Sequence, residues 1–184
     1  MRRLALILII ATVPAPAGAA CHTTPPQIAT EARTAALSAA APSPTPEAPG
    51  RYSAAVSAAY RLETAGQGDC AHITAARVVF TLAARVDIHP SHRTPCRAAI
   101  IAEHEAAHAE ADRAALAATR QRIERDLSLL LSPPVSAEAA HEAMRLYLAS
   151  AGQRYGRERD HAHSLIDSPA AMAHAAARLR SCHD

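Results

Sequence analysis

An α+β domain is predicted for this 184-residue chain by the order of its patterns. Period-2 apolar segments come first, and long Ala-, Leu-, Glu- and Arg-rich stretches come after. That order indicates a small N-terminal antiparallel β-sheet followed by helices. Composition is the second observation. Ala fills 48 positions and aromatic residues only five, which suits close packing on small side chains rather than an aromatic-rich binding surface. The third is Pro133-Pro134, a stop between two helical stretches that predicts a long-helix antiparallel hairpin, with a C-terminal helix after it.

The elements follow in order. Arg2 and Arg3, the apolar run Leu4 to Val13 and the small residues up to Ala20 read as a signal peptide over residues 1–20. That run is about half of the ~20 residues needed to span a bilayer, so no membrane helix is expected. Export to the periplasm or medium follows, and Cys21, just after Gly18-Ala19-Ala20, opens the alternative of a lipid anchor on the bacterial envelope. Residues 21–50 read as a Pro/Ala-rich tether, with a short helix over Glu31–Ala40. Residues 51–184 form the functional domain. Within it Tyr52 to Leu62 reads as a strand and Gly66 to Asp69 as a turn.

The next strand carries the clearer signal. Ala76, Val78, Phe80, Leu82, Ala84, Val86 and Ile88 share one face, while Arg77, Thr81, Arg85 and Asp87 alternate with them. A helix is the rival reading there, because Ala fits either period. The loop His89 to Pro95 ends the strand. No Pro or Gly interrupts Arg97 to Leu131, so that stretch is one long helix. Ser136 caps a second, running to about Leu165 with a weak point at Gly152 or Gly156, and Ser168-Pro169 opens a third that ends at Arg180.

All 19 basic residues are Arg, against 17 acidic ones, and none forms a basic block. A nucleic-acid partner is therefore not expected. Eleven His in so small a chain direct attention to metal instead. Export places Cys70, Cys96 and Cys182 where disulfides persist. With Cys21 available there are four thiols and three connectivities. An unbroken strand over residues 72–88 is about 50 Å long and keeps Cys70 from Cys96 unless the chain doubles back after Ile88, so Cys70–Cys182 or Cys96–Cys182 is the expected bridge.

The long helix contains His104-Glu105-Ala-Ala-His108. Histidines four apart share a helix face and can bind one Zn²⁺, while the Glu between them points aside, where it can take a proton from a metal-bound water. A catalytic zinc needs a third protein ligand and an open position. For helices folded about Pro133-Pro134, His161 comes level with Ala106 and His163 with His104. Tyr155 comes level with Asp112, where its phenol can donate to an oxyanion. Asp112 itself lies four residues beyond His108 and can orient that imidazole.

Taken together these motifs resemble a family of uncharacterised exported bacterial proteins described as predicted zinc-dependent proteases of the zincin kind. Its pattern is a strand pair with a Cys opening the second strand, a Pro-containing loop, a helix with His-Glu-x-x-His, and later a Tyr followed six residues on by a His. Here these are Tyr52 to Leu62, Cys70, His89-Pro90, His104-Glu105-x-x-His108, and Tyr155 with His161. The chain departs from it at Gly156, Arg159 and Ala162, where the family has Asp, Thr and Gly. The resemblance implies zinc held by His104, His108 and His161, with Glu105 as general base and Tyr155 assisting. The first reading is thus an exported zinc metallohydrolase acting on a peptide or protein. Its rivals are a non-catalytic envelope zinc-binding protein and a helical structural lipoprotein without metal.

Overall fold

The computed structural model describes residues 24–38, 43–67, 71–132 and 136–182. The signal peptide expected over 1–20, Cys21 and Cys70 lie outside the described residues. A three-stranded sheet is followed by three helices: β1 (Gln27–Ala36), β2 (Gly50–Ala65), β3 (His72–Ile88), α1 (Pro95–Leu130), α2 (Ala137–Ile166) and α3 (Pro169–Arg180). The fold class is α+β, as the order of patterns predicts.

Strand order is β1-β3-β2, so the long apolar strand is central. β2 pairs with it antiparallel, setting Tyr52 opposite Val86 and Tyr60 opposite Val78. β1 pairs with it parallel. Two expectations are corrected here: the sheet is mixed rather than antiparallel, and the segment expected as a tether with a helix over Glu31–Ala40 supplies a strand. An isolated ten-residue helix is marginal in water. As a strand the same residues gain a ladder to β3, and the buried Thr30 joins a part-buried polar cluster with α1. The Thr30 hydroxyl donates to Glu124, and Arg120 donates to the Thr30 carbonyl at 2.8 Å.

The alternation read in β3 works as a core face. Val78, Phe80 and Leu82 are buried with Leu116, Ile123 and Leu127 of α1 and Met144 and Tyr155 of α2. Helix ends follow local chemistry. Pro95 sits in the first turn of α1, where a missing N–H costs nothing. The hydroxyls of Ser136 and Ser168 accept the backbone N–H groups of Ala139 and Ala171. α2 runs unbroken through Gly152 and Gly156, and a Cβ at either would meet open space. None of the helices among the described residues is long and apolar enough to cross a membrane.

Side chains join α1 to α2 at Asp126 and Tyr147, Arg122 and Glu158, and Asp112 and Arg159. α3 is fastened to the start of α1 by a disulfide between Cys96 and Cys182, the second of the two expected bridges, and by Arg178 donating to Glu103. The disulfide closes a sequence separation of 86 residues. Replacing both cysteines by Ser should lower the unfolding free energy by about 2–5 kcal/mol, mostly by freeing the unfolded chain. Urea unfolding of wild type and double variant under non-reducing conditions measures it, and equal midpoints would refute it.

Candidate metal centre

Three ligand-type side chains converge where α1 passes the end of α2. The Nε2 atoms of His104 and His108 lie 3.3 Å apart. Oδ1 of Asp167, the residue that ends α2, lies 3.2 Å from the first and 3.1 Å from the second. Among the described residues this is the group of His, Cys, Asp or Glu whose ligand atoms are close enough to hold one metal ion. The distances fit such an ion. Tetrahedral zinc with ligand bonds of about 2.0–2.1 Å has ligand-to-ligand edges of roughly 3.3–3.4 Å. Two imidazole nitrogens and a carboxylate form a donor set suited to a first-row divalent metal.

His108 is buried, and burial first of all lowers its pKa, which keeps the imidazole neutral with a lone pair free. His104 is partly exposed and Asp167 more so, with side-chain exposures of 21% and 53%. The group therefore opens toward solvent on the Asp167 side, as a site that admits an outside ligand must.

Glu105 is not one of the three ligand groups and lines the adjoining cavity beside them. It is only 6% exposed, and desolvation raises its pKa against the opposing charge of His104 and a hydrogen bond from the Tyr52 backbone. Gly50, at the start of β2, makes this placement possible, since a Cβ there would collide with Oε1 of Glu105 and Cγ2 of Ile101. Residue types larger than Gly would displace either the carboxyl or the strand.

A raised carboxyl pKa means that the folded protein holds this proton more tightly than the unfolded chain does. The stability so contributed is fully present below the unfolded value and is lost as pH rises through the folded one. Gln at position 105 does not titrate. In chelator, Glu105→Gln should therefore gain on wild type as pH rises from about 4 to 7, read as the difference in urea midpoints. A constant difference across that range would refute the burial argument.

Beside the metal group lies a fully buried carboxylate. Asp112, with no exposed surface, accepts from the Tyr52 hydroxyl at 3.0 Å, from Arg159 Nε at 2.9 Å and from His163 Nε2 at 2.8 Å. It does not orient His108 as expected, for Nδ1 of His108 is buried without a hydrogen-bond partner. His108 is instead held between rings: Tyr52 stacks on it at 6.2 Å and 9°, and His163 tilts against it at 4.5 Å. Burial, and after it the hydrogen bond to Asp112, drive the Tyr52 phenol pKa well above its usual value, so the ring stays neutral.

Of the residues expected from sequence, the structure brings together His104, Glu105 and His108. His161 stands apart: it is exposed on α2, outside the group, and Asp167 occupies the third place. Tyr155 lies in the hydrophobic core and does not line the cavity at the site. Its buried hydroxyl has no partner, and burial together with the Asp112 charge pushes its pKa up to about 12. Asp167, Tyr52 and Gly50 were not singled out from sequence. Asp167 carries one local signal, an acidic side chain at the Ser168-Pro169 helix break.

The centre opens onto a cavity of about 380 Å³ between the start of β2, α1 and α3. No protein-family model matches the chain, and neither a curated protein nor a solved structure matches it.

Proposed function

We infer that this protein is a zinc-dependent hydrolase of peptides or proteins, with His104, His108 and Asp167 as ligands and Glu105 as general base. The observation that carries the reading is the triangle of ligand atoms, with sides of 3.1 to 3.3 Å, beside a buried glutamate at the wall of a cavity. It takes α1 and α2 as the arms of an antiparallel hairpin, an arrangement supported by the side-chain pairs that join them. Zinc, when bound, supplies Lewis-acid polarisation of a water or carbonyl oxygen.

The chain's own residues do the rest. Glu105, held by Gly50 and the Tyr52 backbone, accepts the proton of the attacking water and returns it to the leaving amine. Its raised pKa brings it closer to the operating pH, where a general base works best. Tyr52 and His163 fix the ring plane of His108, and Asp112 fixes Tyr52 and His163 in turn. The exposed carboxylate of Asp167 completes the donor set without closing the centre to solvent. We place the protein outside the cytoplasm, by the signal-peptide pattern of residues 1–20, either free or anchored through Cys21.

Purification without a His tag, followed by elemental analysis and digestion of a mixed peptide library, tests the reading. About one zinc per chain and cleaved peptides are expected. Zinc without cleavage would favour the metal-binding rival, and a chain without any metal would refute both.

A further inference from the structure

One wall of the cavity is apolar and comes from α3. Met172, Ala175 and Leu179 are spaced i, i+3, i+7 and so share one face of that helix. Together with Ile100 and Ile101 from the first turns of α1, they line the cavity that also holds His104 and Glu105. The disulfide Cys96–Cys182 and the Arg178–Glu103 pair hold the two helices side by side, and Ile100 and His104 of the one line the same cavity as Ala175 and Leu179 of the other. Glu103 and Arg178 satisfy each other, so neither presents an unpaired charge to this wall. Met172, at 47% exposure, is a large apolar side chain left at the cavity mouth.

We propose that this wall is a specificity pocket for an aliphatic side chain of leucine size on the residue next to the bond that is cleaved. The inference rests on the hydrolase reading and adds its substrate class. A cavity of about 380 Å³ has room for such a side chain together with the peptide groups flanking it. Its apolar lining reaches the turn of α1 that carries His104, so a peptide carbonyl directed at the metal group places the adjoining side chain against α3. A charged side chain there would lose its hydration with no partner on this wall, because Arg51 and Glu47, which line the same cavity, belong to β2 and the segment before it.

The test uses the zinc-loaded full chain and calorimetric titration with acetohydroxamate and the hydroxamates of N-acetylglycine, N-acetylleucine and N-acetylaspartate. The leucine compound should bind about 10-fold more tightly than the glycine one, from burial of its side chain. The aspartate compound should bind no better than glycine. Ala175→Leu, which fills the pocket, and Met172→Glu, which charges its mouth, should each abolish the leucine preference, read as the ratio of the leucine and glycine affinities with zinc content measured on the same samples. Equal affinities for leucine and glycine in the wild type, or a preference that survives in both variants, would overturn the inference.

Loss of acetohydroxamate binding itself would count against the zinc reading, and a metal-independent measurement then decides the pocket. With methyl-labelled methionine, N-acetylleucinamide should shift the Met172 signal and leave that of Met144, which is fully buried, in place. N-acetylglycinamide should shift neither. A Met172 signal indifferent to leucinamide would overturn the pocket whatever the metal does.

Discussion

Glu105→Gln should leave zinc binding and fold intact and lower peptide hydrolysis by about 10²–10⁴-fold, the usual contribution of a general base. Gln keeps the size of Glu and remains compatible with the close approach at Gly50, so neither strand nor helix has to move. It can still accept the Tyr52 backbone N–H through its amide oxygen. What it cannot do is take a proton at neutral pH. Because Glu105 lies outside the triangle of ligand atoms, metal content should equal that of wild type. Library digestion read by mass spectrometry, with zinc measured on the same samples, separates the outcomes. A variant as active as wild type would remove Glu105 from the mechanism. A variant that loses its zinc would mean that position 105 supports the ligands, and the fall in rate would then say nothing about a base.

Much of the fold is written in local patterns. The alternation of Val78, Phe80 and Leu82 gave the central strand, and Pro95, Ser136 and Ser168 marked helix starts. β1 escaped because its Ala-rich sequence has no period of its own. It is a strand by virtue of the ladder to β3 and the Thr30 cluster with α1, both of which join residues distant in sequence. At the site, the pair His104 and His108 was legible because four residues of helix guarantee one face. The partners from α2 were not, since their level depends on how side chains lean. On any helix they tilt toward its N-terminus. In the proposed antiparallel pair this tilt runs opposite ways on the two arms, so each contact joins residues further along the chain than a level-by-level count suggests. Asp112 accordingly meets Arg159 and His163, not Tyr155. The same displacement moves the place opposite His104 and His108 from His161 to Asp167.

That displacement makes the third ligand the sharper test of the metal centre. Asp167→Ala should weaken zinc binding by at least ~100-fold, the upper end of what losing even an outer partner of a ligand costs. His161→Ala should leave affinity unchanged, because His161 is exposed and takes no part in the triangle. Asp167 is itself half exposed at a helix end, so its loss should cost little in folding and the metal effect can be read cleanly. His163→Ala needs separate treatment: it removes a donor from the fully buried Asp112 and support from the His108 ring, so a fall in zinc affinity with it should come with lower stability of the metal-free protein. Competition titrations against a zinc chelator, paired with urea unfolding of the metal-free forms, resolve the three variants. Should His161→Ala release the metal while Asp167→Ala keeps it, α2 must turn by part of a revolution when zinc binds. The side-chain tilt would then have been the wrong reason for preferring Asp167.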